Sequence, residues 1–257
     1  MSDTDELGGN PLATRGFILS AVVVGFIVVL AVVVMATSFL TEGEADGRST
    51  RAEASPSPGG ETSGEKPQAG SEPDVSICGL GDVQMEGALI EPPSNTEWEL
   101  VGKMAAPSVD GAGPGRIAKD GFRDCYARTP TGALLAAANL LALQGKPGMG
   151  DRVIEDLFAK GPGRDTAIAE AKAGGADGSA EYADINLQIS GFRLVSYDGG
   201  QANIQVALSA KGVDMAAVMD LVWEEGDWKL RVGDDGRLIT PPYELPDMTG
   251  FVPWGGA

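Results

Sequence analysis

The first long pattern in the chain is an apolar run without interruption. From Phe17 to Leu40, FILSAVVVGFIVVLAVVVMATSFL, there is no charged residue and no proline. As a helix this stretch reaches roughly 36 Å against a hydrocarbon core of about 30 Å, so the pattern predicts a transmembrane helix over residues 17–40 in contact with the lipid bilayer. Residues 1–16 are polar and read as a cytoplasmic tail. Residues 41–74, with EASPSPGGETSGEKPQAGSEP, have almost nothing to bury and read as a disordered linker, about 30 Å from end to end as a flexible coil. Residues 75–257 remain for one exported domain with enough chain for a core.

Within that domain helical periodicity comes first. Trp98-Glu99-Leu100-Val101 alternates as a short strand does, and Ala106 to Arg116 reads as a connection. In TPTGALLAAANLLALQGK, Thr129 is placed to cap a helix opened by Pro130 and ended by Gly145, with Leu134, Leu135, Ala138, Leu141 and Ala142 on its core face. A second helix is expected from Asp151 to Phe158, facing inward through Val153, Ile154, Leu157 and Phe158, and a third from Arg164 to Ala173.

After Gly174-Gly175 the pattern becomes two-fold. Ile185, Leu187 and Ile189 alternate with polar residues, and Gly191 marks an expected bulge before Phe192 and Leu194. Asp198-Gly199-Gly200 and Lys211-Gly212 read as hairpin turns around the strand carrying Ala202, Ile204, Val206 and Leu208. In MDLVWEEGDWKLRV, Trp223 and Trp228 flank a turn and are expected to face each other, with Leu221 and Leu230 beside them. Helices followed by antiparallel strands predict an α+β domain.

Charge narrows the possible partners. The net charge is −18, of which −7 lies before Val75 and −11 after it, and no basic run offers the surface that nucleic acid requires. Histidine is absent, which removes Ser-His-Asp and Cys-His nucleophile pairs and every His-containing metal site. No metal, cofactor, catalytic group or small-molecule substrate is expected. Ala106–Arg116 lacks the Gly-Lys-Ser/Thr ending of a phosphate loop, and Gly233-Asp234-Asp235-Gly236 lacks the spaced ligands of a calcium loop.

Cys78 and Cys125 are the two cysteines, without Cys-x-x-Cys spacing. A structural disulfide is their expected use, worth roughly 4 kcal/mol in the chain-entropy description. Two unrelated buried thiols are the alternative. If they pair, the domain lies in an oxidising space, giving a single-pass protein with its N-terminus cytoplasmic and its C-terminal domain extracytoplasmic. A cleaved signal peptide is the rival reading of residues 17–40. Against it stand the length of the run, the single basic residue Arg15 before it, and the poor cleavage site at Ala36-Thr37-Ser38. Ala21 and Gly25 form a small-xxx-small pair of the kind that brings two such helices together. The tail from Pro241 to Ala257 carries Tyr243, Phe251 and Trp254 among prolines and glycines, and is expected either to pack back on the domain or to dock a partner.

The closing hairpin, Trp-x-x-Gly-Asp-Trp-Lys-Leu over residues 223–230, resembles that of the cystatin-like, nuclear-transport-factor-like cone fold. APSVDGAGPG, TPTGALLAAANLLA, GDWKL and LPDMTGFVPW are together similar to a family of actinobacterial membrane proteins associated with integrating conjugative elements. In plan the chain is also similar to the bitopic cone-fold scaffold subunit of type IV secretion systems. That similarity implies a cystatin-like cone with helices packed on a curved antiparallel sheet, and a non-enzymatic assembly role. It also implies partners among other channel subunits and further copies of the chain. The alternative is a ligand-binding or enzymatic cone at the cell surface, since related folds use an Asp base with Tyr donors; Tyr126, Tyr182 and Asp184 are the candidates. An envelope sensor is a third reading, with little cytoplasmic chain to signal through.

Overall fold

The chain forms, in order, β1 (Glu97–Val101), β2 (Met104–Ser108), β3 (Arg116–Ile117), β4 (Arg123–Asp124), α1 (Pro130–Gln144), α2 (Gly150–Leu157), α3 (Pro162–Lys172), β5 (Gln188–Tyr197), β6 (Gln201–Ala210), β7 (Val213–Glu224), β8 (Asp227–Leu230), β9 (Tyr243–Glu244) and β10 (Val252–Pro253). This is a computed structural model that describes residues 75–174 and 186–256. The expected tail, membrane helix and linker of residues 1–74 lie outside the described residues. Among the described residues no helix is long and apolar enough to cross a membrane.

The architecture is α+β: three helices packed against a six-stranded antiparallel sheet. Helix α1 starts as its sequence requires, with the Gly132 N–H donating to the Thr129 hydroxyl at 3.0 Å and Pro130 in the first turn. It differs from expectation in how much of it is covered. Leu140, Leu143, Ala136 and Ala137 are buried together with Leu134, Leu135, Ala138 and Ala142, and Leu141 is only partly buried. The reason is tertiary: β5 to β8 pack on one side of α1 while β2 and β4 pack on another, so no face is left to solvent. Gly132 lets the segment leading into α1 fold tightly onto the helix start, since a Cβ there would collide with the Ala127 carbonyl oxygen. Asn139, fully surrounded, donates to the Pro107 and Leu135 carbonyls at 2.8 and 2.9 Å.

A second difference concerns Ala106–Ser108, expected in a connection. These residues complete β2, pairing antiparallel with β1 from Val101↔Met104 to Glu97↔Ser108. Small side chains hide the alternation, and Ala106 is buried because the hairpin lies over α1.

The main sheet runs β10-β5-β6-β7-β8, with β9 also on β7. Its register puts Ala202, Ile204, Val206 and Leu208 of β6 opposite Leu221, Met219, Ala217 and Met215 of β7 on the face toward α1. The Asp198 carboxylate shapes the β5–β6 turn by accepting from the Gly200 and Gln201 N–H groups at 2.9 and 2.6 Å. The expected irregularity near Gly191 is present between Ile189 and Gly191, and a second follows between Leu194 and Ser196. Across the β7–β8 hairpin, Trp223 stands opposite Trp228 and Leu221 opposite Leu230, the indole rings 5.3 Å apart at 72°. Helix α2 turns Val153 and Leu157 inward, and Phe158, just past its end, bridges to Leu230.

Candidate interaction surface

Cys78 and Cys125 are joined in a disulfide with Cα atoms 6.1 Å apart. The Cys125 end is buried and anchored from β8. Asp227, wholly buried, accepts the Cys125 and Tyr126 N–H groups, each at 2.9 Å, as well as its neighbour Trp228 N–H. Burial pushes the Asp227 carboxyl above the usual carboxylate range, against the opposite pull of Lys229 and of these N–H donors. The Lys229 ammonium is 4.0 Å away and donates to the Asp156 carbonyl at 2.6 Å. Sequence reasoning took Asp227 for a turn residue. The available signal was an acid and a lysine two positions apart in a strand otherwise built for burial.

From the disulfide the lead-in segment crosses the tips of two hairpins. The Ile77 N–H donates to the Gly226 carbonyl at 2.9 Å, and the Tyr197 hydroxyl donates to the Gln84 carbonyl at 2.7 Å. Val75, Ile77, Val83 and Met85 remain exposed along it.

Tyr126, a candidate donor, is buried with its hydroxyl lacking a hydrogen-bond partner among the described residues, and burial holds its phenol far above the ordinary range. Arg123 is buried nearby in sequence and pairs with Glu99. Tyr182 and Asp184 lie outside the described residues. The space between α1 and the sheet is filled by the chain's own groups, including Phe122, Leu134, Leu135, Phe192, Met219 and Trp228.

The tail binds both edges of the sheet. Tyr243 pairs with Ala216 on the β7 edge and is 39% exposed. The chain then passes the face turned away from α1, where Gly191, Ala207 and Ala216 form one registered row of small residues. Met248 reaches the Gly191 end of that row; a Cβ on Gly191 would stand 2.8 Å from its methyl carbon. Phe251, partly exposed, receives the Arg193 guanidinium at 5.0 Å from its ring. Then β10 pairs with Gly191 and Phe192 on the β5 edge. Trp254 turns inward, buried between Trp98 and Phe192 with ring centroids 4.8 and 5.5 Å away. The three aromatic candidates therefore do not form one patch. Tyr243 sits four strand spacings from β10, roughly 19 Å, and the Trp254 ring belongs to the core.

Among the described residues no group of His, Cys, Asp and Glu is arranged to hold a metal ion. A family model described as a domain of unknown function (DUF8175) matches residues 56–253, and the chain belongs to that family. No curated protein and no solved structure matches the chain.

Proposed function

With this family membership as the premise, we propose that the chain is a membrane-anchored structural or assembly subunit of a conjugation or type IV secretion-like apparatus. In this reading residues 17–40 hold it in the lipid bilayer, and the extracytoplasmic domain, a cystatin-like cone, acts by contacts with other channel subunits and with copies of itself. The observation that carries the proposal is the Cys78–Cys125 disulfide. Such a bond persists in an oxidising space, so it supports a domain held outside the cytoplasm. The filled interior between α1 and the sheet agrees with a module that works through its surface. The exposed Val75, Ile77, Val83 and Met85 at the hairpin tips and, as two separate positions on the tail, Tyr243 and the partly exposed Phe251 are the proposed contact positions.

Deleting the gene from its element and counting DNA transfer tests the reading. Transfer is expected to fall sharply and to return with the intact gene. Transfer at the parental frequency would refute it.

A further inference from the structure

One row of polar side chains crosses the face of the sheet turned away from α1, at right angles to the strands. Ser196 on β5 stands opposite Asn203 on β6, and Asn203 opposite Asp220 on β7. Arg231, directly after β8, donates its N–H to the Asp220 carbonyl at 2.7 Å. At about 4.8 Å per strand the row is roughly 14 Å long. It floors a depression of ≈ 370 Å³ that Val195 and Gln201 also line.

The groups in this row are fixed but not used up. The Asn203 amide donates to one Asp220 carboxylate oxygen at 2.7 Å, which orients both side chains. Among the described residues, the other Asp220 oxygen, the Asn203 carbonyl oxygen and the Arg231 guanidinium have no protein partner. Along the row the groups left over are therefore a donor, the guanidinium, then two acceptors, a carboxylate and an amide oxygen, and then a hydroxyl that can do either.

The charge balance disfavours a simple ion. A free anion drawn to Arg231 meets Asp220, and a free cation drawn to Asp220 meets Arg231. A hydroxyl group both donates and accepts, so a neutral ligand bearing several hydroxyls satisfies the row without opposing either charge. Val195, put out by the second β5 irregularity and 54% exposed, adds one apolar contact at the rim, matched to an acetamido methyl or the C–H face of a sugar ring. We infer that this row is a binding site for a saccharide chain, of the N-acetylated hexosamine class. The inference goes beyond the assembly reading and does not depend on it.

The test uses the full-length protein in a zwitterionic detergent, because the headgroup of a glycosidic one would compete. Chitotetraose is titrated and observed by saturation-transfer difference NMR. Transfer to the ring and acetyl protons is expected, saturating in the millimolar range. Binding weakens by about tenfold or more in Arg231→Ala and in Asn203→Ala, as expected when one good polar contact of about 1.4 kcal/mol is removed, and is unchanged in Lys119→Ala. The Arg231 side chain is exposed, so that variant decides the matter even where Asn203→Ala unfolds, as tryptophan-monitored melting will report. Absence of transfer, transfer unchanged in both variants, or equal displacement by acetate, the mark of a simple anion site, each overturns the inference.

Discussion

Asp227 holds the backbone N–H of Cys125 at 2.9 Å, which ties the last hairpin of the sheet to the disulfide in one buried joint. Replacing Asp227 with alanine strands the Cys125 and Tyr126 N–H groups in the interior, at about 1–3 kcal/mol for each unsatisfied donor. Asp227→Ala should therefore lower stability by about 2–6 kcal/mol. All four tryptophans lie after residue 75, so denaturant unfolding followed by tryptophan fluorescence reports on this domain alone. An unchanged midpoint would show that the joint contributes nothing.

The disulfide itself closes a separation of 47 residues. Cys78→Ser should cost roughly 4 kcal/mol in the chain-entropy description. On non-reducing gels the parent should run faster than the variant, and the difference should vanish on reduction.

Trp254 and Tyr243 should separate stability from contact. Truncating a buried indole costs about 3–5 kcal/mol, so Trp254→Ala is expected to destabilise the domain strongly. Tyr243→Ala, at a partly exposed edge position, should change stability by about 1 kcal/mol or less. If Tyr243 is a contact position, this second variant lowers DNA transfer while melting normally. A normal transfer frequency would remove Tyr243 from the proposed surface.

Alkaline pH provides a further check. Burial first, with Asp198 adding to it and Arg128 opposing, pushes the Tyr197 phenol up to about 12. The folded domain therefore holds this proton more tightly than the unfolded chain, whose tyrosines titrate near 10. The contribution is fully present below about pH 10 and is lost as pH rises through about 12, because a phenolate cannot donate to the Gln84 carbonyl. Stability measured from pH 9 to 12 should fall less steeply in Tyr197→Phe, with Tyr126 maintaining part of the decline in both proteins. Parallel curves would contradict the assignment.

Lys211 occupies the left-handed region, φ 52°, in the two-residue turn between β6 and β7. An L-residue with a long side chain is disfavoured there, and asparagine before glycine is preferred in such a turn. Lys211→Asn should stabilise the protein by about 0.5–1 kcal/mol, seen as a higher unfolding midpoint.

What was legible beforehand follows the range of the forces involved. Thr129 and Pro130 start α1 through contacts within one turn. Asp198-Gly199-Gly200 and Glu225-Gly226 reverse the chain through local backbone preferences, and Trp223 with Trp228 then falls into register because a tight turn leaves little alternative. Two cysteines allow one internal pairing. Each of these features is set by a few neighbouring residues or by the number of cysteines.

Tertiary packing decided what pairing at a distance controls. Ala106–Ser108 became strand because β1 was beside it, and its small side chains carried no period of their own. Leu140 and Leu143 were buried because a second layer covers the far side of α1, a fact absent from the helix's own pattern. Aromatic character alone could not separate Tyr243 from Trp254; the tail's pairing with Ala216 on one sheet edge and with Gly191 and Phe192 on the other left one ring at an edge and sent the other inward. Asp227 resembled any acid beside a turn until backbone donors from a segment about a hundred positions earlier converged on it. Local chemistry set the elements by itself, while the close approach of distant segments determined which surfaces remained for function.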